Sequence, residues 1–252
     1  MNGGGQNDSR IAVRGIVALL LPPLAAALVW STVGQFQETA ATNLQGTTAV
    51  ILGSIAVVSL VLGLWWYGSK DMGLRGGRPL TAGIGFAALA WVLFIVLRFI
   101  FVAIMTIGSP NGTRTYIYLL LFEAFAAQLW TFGLLFRAMA DWRGGLTAAV
   151  FSGILFGLLA AVYFQEAFVF SGLSVSYFIA WGILYGVIRL RTGSLLGAVL
   201  VQSVSSFTTW VVLRPELVPS VAELNNLYVL ATVAYMIIIW RLWPKGEADY
   251  RI

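Results

Sequence analysis

Hydrophobic and polar positions divide this chain into long apolar runs separated by short polar stretches. Eight runs can be drawn, at residues 11–33, 47–67, 80–107, 116–140, 146–164, 168–190, 194–213 and 224–243. Each comes close to or exceeds the ~20 residues that an α-helix needs to cross the hydrocarbon core of a bilayer. The pattern predicts an all-α fold, a polytopic membrane bundle of about eight transmembrane helices. Residues 1–10 read as a short disordered lead, 11–245 as one membrane domain and 246–252 as a tail. Pro22 and Pro23 fall inside the first run, where two missing backbone donors predict a kink. That run is too long for the apolar region of a signal peptide and reads as a retained span. The longest outward loops, 35–46 and 214–223, leave no room for a folded extramembrane domain.

Composition narrows the class further. Of 252 residues, 60% are hydrophobic and only 10% charged, with a mean hydropathy of +0.88. Soluble domains carry about 25% charged residues, so water-soluble folds, disordered tails and nucleic-acid binders are excluded. There is no cysteine, which removes disulfides and thiolate chemistry. There is no histidine, the commonest general base and metal ligand. The net charge of +5 is explained by topology. With eight crossings, one side holds Arg10, Arg14, Lys70, Arg75, Arg78, Arg137, Arg143, Arg189, Arg191, Arg241, Lys245 and Arg251. The other side holds Arg114 and Arg214, and Arg98 stays within a span. The positive-inside rule then puts both termini in the cytoplasm of a plasma-membrane protein. Trp66, Tyr67, Trp142 and Trp243 sit at span ends as interfacial anchors.

Three pairs of glycines, Gly153/Gly157, Gly182/Gly186 and Gly193/Gly197, have the G-x-x-x-G spacing that lets helix backbones approach. They predict a tight inner bundle of the fifth, sixth and seventh spans. Polar groups within the runs are few. An ionisable side chain at mid-bilayer costs about 2.5–3.5 kcal/mol on insertion scales and should have a partner or a function. The candidates are Arg98 and Glu123, which adjacent spans could join as an ion pair, together with Gln128. Glu166 reads as interfacial. The seventh run carries Gln202, Ser203, Ser205, Ser206, Thr208 and Thr209, either as interhelical glue or as one wall of a polar cavity.

Four stretches carry a resemblance. FGLLFR (Phe132 to Arg137, with Gly133 second) aligns with an E-E-x-x-x-R block. SGILFGLLA gives Phe156 and then Ala160 where F-x-x-x-H belongs. RTGSLLGAVLVQSVSSF gives Gln202 and Ser206 where H-x-x-x-N or H-x-x-x-D belongs. DMGLRGGRPL precedes the third span as a further matching loop. In these blocks, over residues 70–210, the chain resembles the CAAX-protease and bacteriocin-processing (CPBP or Abi) family of intramembrane metalloproteases. The resemblance implies a site in which glutamates and histidines activate water, directly or through a metal, near the cytoplasmic face. This chain keeps only Arg137 of that set. Phe132, Gly133 and Ala160 cannot act as bases, Gln202 takes up no proton at ordinary pH, and Ser206 is a weak ligand. Zinc needs three or four His, Cys or carboxylate ligands, and Glu123, nine residues before Phe132, reads as a poor substitute.

The expectation is therefore a family fold with its catalytic and metal positions vestigial. Its work would be that of a scaffold, accessory or binding subunit, with a membrane-protein partner and the lipid bilayer around it. No cofactor is predicted. A vestigial cavity would suit a partner helix, a lipid, or a quinone or carotenoid, while a haem or chlorin would lack a histidine ligand. Two alternatives stand beside it. One is proteolysis of prenylated or leader-bearing peptides by an altered mechanism using Glu123, Glu166 and Arg137. The other is a small transporter coupled through Arg98 and Glu123, for which no internal repeat of the transporter kind is evident.

Overall fold

The structure, a computed structural model, describes residues 4–36, 44–102, 106–107, 112–163, 171–214 and 219–252. Helix α1 (Gly4–Phe36) leads to α2 (Leu44–Trp66), a single turn α3 (Gly68–Asp71) and α4 (Arg78–Phe101). The next long helix has three parts. It opens as α5 (Gly112–Tyr118), continues through two π-helical stretches (Leu119–Ala126 and Leu129–Leu135) and closes as α6 (Phe136–Arg143). Then come α7 (Gly145–Tyr163), α8 (Gly172–Thr192), α9 (Leu196–Ser206) with a π-helical extension (Phe207–Val212), and α10 (Val221–Leu242). Two short strands, β1 (Thr106–Ile107) and β2 (Leu213–Arg214), pair antiparallel and tie the chain beyond α4 to the end of the α9 extension.

Among the described residues, seven helices are long and apolar enough to cross a membrane, and α9 is a shorter apolar helix. The sequence pattern put eight full spans here, so the seventh is the exception. Much of α9 is buried, against α4 and the first π-helical stretch. A helix shielded by its neighbours does not have to match the full hydrocarbon thickness. α1 begins at Gly4, inside the stretch read as a disordered lead, because extending a nucleated helix costs little per residue. α4 stops at Phe101, short of the expected 107, and Thr106 and Ile107 join the strand pair instead. Serine boxes start two of the spans: Ser171 accepts from Ser174 N at 3.2 Å and Ser220 from Glu223 N at 3.3 Å.

Glycine spacing is fulfilled between α7 and α8. A Cβ at Gly153 would lie 2.6 Å from Ile183 Cα, and one at Gly157 2.5 Å from Ile179 Cα, so the two backbones touch. The third pair behaves differently. Gly193 is no helix-face residue but the left-handed stop of α8 (φ 73°). Gly197 faces Gly83 of α4. Accordingly α9 packs on α4 rather than joining α7 and α8 in the expected three-helix bundle.

The ion pairs among the described residues lie at one end of the bundle, opposite the strand pair. Arg75 and Arg137 approach Asp71 at 3.4 and 4.0 Å, Arg137 reaches Asp141 at 3.0 Å, and Arg191 reaches Asp249 at 2.8 Å. Arg14 stands 5.8 Å over the Trp66 ring. The T-G-S-L turn is sewn to the 71–80 loop, with Ser194 Oγ donating to Arg75 O (2.7 Å) and Leu195 N to Gly73 O (2.9 Å). The tail returns to the same end, where Arg251 N donates to Leu190 O at 2.9 Å. That convergence fits an even number of crossings. The chain is an integral membrane protein built as a helical bundle.

Candidate functional site: a buried carboxyl beside an apolar cavity

The π-helical winding between α5 and α6 sets the geometry. An α-helix aligns residues three or four apart, whereas i→i+5 bonding brings residues five apart onto one face. Glu123 and Gln128 are five apart, and both reach Gln202 of α9. Gln128 Nε2 donates to Gln202 Oε1 at 2.6 Å, and Gln202 Nε2 donates to Glu123 Oε1 at 3.0 Å. Ser206, one turn further along α9, donates to the same Glu123 oxygen at 3.0 Å. All four side chains are buried. Glu123 Oε2 and Gln128 Oε1 have no partner among the described residues.

Glu123 and Gln202 are the two polar residues among those lining a cavity of about 220 Å³. Its other walls are Ile51, Leu52 and Ile55 from α2, Ala127 and Trp130 from the π-helical segment, and Phe156, Leu159, Ala160 and Val162 from α7. Trp130 is fixed by its indole N–H, which donates to Ala18 O of α1 at 2.9 Å. α2 and α7 both pack against the second π-helical stretch, with far less contact between themselves. Val162, 60% exposed, lies at the rim of this cavity.

Three of the family-matched positions, Phe156, Ala160 and Gln202, thus line one cavity, and Ser206 joins it through Glu123. Phe132 stands behind that wall, its ring 5.3 Å from Phe156 and 6.5 Å from Tyr185. Gly133 is hemmed in by Met72 from the 71–80 loop. A Cβ there would meet Met72 Cε at 3.1 Å and Leu195 Cδ2 at 3.4 Å. Paired glutamates at 132 and 133 would find aromatic rings and a methionine. Arg137 does not face the cavity; it pairs with Asp141 and Asp71 and lies 5.9 Å over the Tyr67 ring. Burial pushes the Tyr67 phenol up to about 12, so it is neutral beside that guanidinium.

Several expectations need correction. Arg98 and Glu123 do not pair. Arg98 donates to Leu213 O at 2.8 Å near the strand pair, while Glu123 turns to α9. Glu123, read as a poor substitute for the residues matched at 132 and 133, is held instead by Gln202 and Ser206 of the third block and lines a cavity with Phe156 and Ala160 of the second. Arg189, counted among the loop charges, is only 1% exposed. Its guanidinium donates to Phe132 O (3.1 Å) and Asp71 O (2.7 Å) and lies 5.0 Å over the Phe136 ring. It clips the 71–80 loop to the segment that carries Glu123. Nothing in its sequence context distinguishes it from Arg191, two residues on and partly exposed.

The polar stripe of the seventh span divides between both expected roles. Gln202 and Ser206 bind Glu123. Thr208 accepts from Trp91 Nε1 at 3.1 Å, and Ser203 Oγ lies 3.5 Å from the Tyr116 hydroxyl. Thr209 is buried without a partner among the described residues. Glu166 lies outside the described residues.

Chemically, the site offers one carboxyl, two amides and a hydroxyl. Among the described residues no three His, Cys, Asp or Glu side chains group closely enough to hold a metal ion. The donor set does not fit the zinc-type centre that the resemblance implies. No curated protein and no solved structure matches the chain. Residues 109–208 supply Glu123, Gln128, Trp130, Phe156, Ala160, Gln202 and Ser206. That same segment matches the family model described as type II CAAX prenyl endopeptidase Rce1-like, and there the chain's similarity lies.

Proposed function

We propose that this chain is a non-catalytic CPBP-fold membrane protein, an accessory or binding subunit of a membrane complex. The observation that carries the reading is the apolar character of the matched glutamate and first histidine positions. Phe132 and Gly133 pack against Phe156, Tyr185 and Met72, and Ala160 is part of the cavity's apolar wall, where a hydrolytic centre would need a base and an oxyanion donor. The fold is kept around a cavity suited to binding. The basic end of the bundle faces the cytoplasm of the plasma membrane, as the positive-inside rule requires. The test is chemical crosslinking in native membranes followed by gentle extraction. A stoichiometric membrane-protein partner is expected, and a protein recovered alone with no crosslinked neighbour would contradict the reading.

A second reading is favoured by one contact. The Ser206 hydroxyl donates to Glu123, whose second oxygen has no partner among the described residues, so a carboxylate could activate that hydroxyl or a water for peptide cleavage. Reconstituted protein would then process a prenylated or leader-bearing peptide, and both Glu123→Gln and Ser206→Ala would abolish the activity.

A further inference from the structure

Carboxylates neutralise the basic end of the bundle unevenly. Arg75, Arg137 and Arg191 each lie within 4.0 Å of one. Arg10, Arg14 and Arg143 are exposed, and none of them makes an ion pair among the described residues. Asp141 is near Arg14, but Arg137 holds it at 3.0 Å. The three arginines share one corner, where α1 packs against α2 and α6. A Cβ at Gly15 would lie 3.3 Å from the Trp142 ring, so Arg14 and Arg143 flank a helix contact, and Arg10 stands one turn before Arg14 on the same face. Two of the guanidiniums rest on indoles: Arg14 lies 5.8 Å over the Trp66 ring and Arg143 4.5 Å over the Trp142 ring. Stacking occupies the face of a guanidinium and leaves edge N–H groups to donate, in the planar fork that matches phosphate oxygens. Trp65, 77% exposed, stands beside Trp66 at the level of an interfacial anchor. Toward the middle of the helices the surface turns apolar, with Ile16 and Leu20 of α1 and Val57 and Val61 of α2 exposed. A soluble anion would use only the arginines. A lipid meets every level, with its phosphate on the guanidiniums, its glycerol region at the indoles and its acyl chains on the apolar faces. A zwitterionic headgroup would bring its own cation against three others, so a net negative headgroup is selected.

We infer that the corner between α1, α2 and α6 binds an anionic phospholipid, its phosphate held by Arg14 and Arg143 with Arg10 adding positive charge. Neither the Glu123 cavity nor any occupant of it is part of this site. The test is native mass spectrometry of the full chain in detergent, titrated with dioleoyl phosphatidylglycerol or dioleoyl phosphatidylcholine, which share their acyl chains. The first phosphatidylglycerol is expected to bind about tenfold more tightly than the first phosphatidylcholine. Arg14→Gln combined with Arg143→Gln should cut that preference below about twofold. Arg10→Gln combined with Arg143→Gln serves the same purpose if that variant does not fold. Arg75→Gln combined with Arg191→Gln removes equal charge from the ion pairs outside the corner and should leave the preference unchanged. A phosphatidylglycerol bearing a diazirine near its glycerol, photolysed with the chain in lipid nanodiscs, should label peptides covering residues 10–16, 61–66 or 142–143. Equal binding of the two lipids would overturn the inference. So would an equal loss of preference in the Arg75 and Arg191 variant, labelling confined to other segments, or displacement of the lipid by soluble glycerol phosphate at the same concentration.

Discussion

Glu123→Leu removes the oxygen on which Gln202 and Ser206 converge, leaving two buried donors unsatisfied. A loss of about 1–3 kcal/mol is expected, read as a lower thermal midpoint in detergent, and Glu123→Gln should lose less because an amide oxygen still accepts. Arg189→Leu should be costlier than any change at Arg191. It strands the carbonyls of Phe132 and Asp71 and frees the 71–80 loop, whereas Arg191 makes a half-exposed ion pair with Asp249. Faster hydrogen exchange across residues 71–77 would be the specific sign, and exchange as slow as in the parent protein would contradict the clip. Hydropathy identified Glu123 and Arg98 as the polar oddities of their spans, but the partner of each depends on helix winding and tertiary placement. Arg189 shows the converse. A charge at a span end reads as a loop residue, yet the carbonyls that bury it come from segments more than fifty residues away in sequence.

Between elements, the closest contact is α7 against α8. Gly182→Leu or Gly153→Leu should cost at least about 1–3 kcal/mol through overpacking, while Gly76→Ala, with open space around it, should be nearly neutral. Thermal midpoints of the three variants check this, and equal midpoints would contradict the backbone contact. The C-terminal turn is a separate, pH-dependent attachment. The Lys245 backbone N–H, together with Arg191, holds the Asp249 carboxyl below the usual carboxylate range. A depressed pKa stabilises the folded form above the ordinary value and ceases to do so as pH falls through the lowered one. Amide protection of residues 246–252 should therefore persist at neutral pH and fade only in acid; protection independent of pH would exclude this role for Asp249. Span positions were legible because apolar length is recorded residue by residue. The π-helical winding was not, since LLLFEAFAAQLWTFGLL contains no proline and only one glycine to mark it. The two polar residues five apart, Glu123 and Gln128, are its one trace in the sequence. The short α9 was equally hidden, because hydropathy records an apolar run and not which neighbours cover it.

At the scale of the molecule, the absence of cysteine makes topology directly testable. Single cysteines placed by Ser9→Cys and Gly246→Cys should react with an impermeant maleimide from one face of the membrane, and Gly112→Cys only from the other. Opposite-face labelling of the first two would contradict an even number of crossings. The family resemblance was readable from four short blocks, and the matched residues 109–208 hold three of them, the 71–80 loop lying outside. What the blocks could not convey is that the second and third meet at one cavity, through Phe156, Ala160 and Gln202, while the first packs behind it. The most direct measurement is incubation of the purified, liposome-reconstituted chain with a prenylated peptide, with and without added zinc, followed by mass spectrometry. Product no more abundant than in empty liposomes is expected under both conditions; peptide cleavage that disappears in Glu123→Gln would contradict a non-catalytic role.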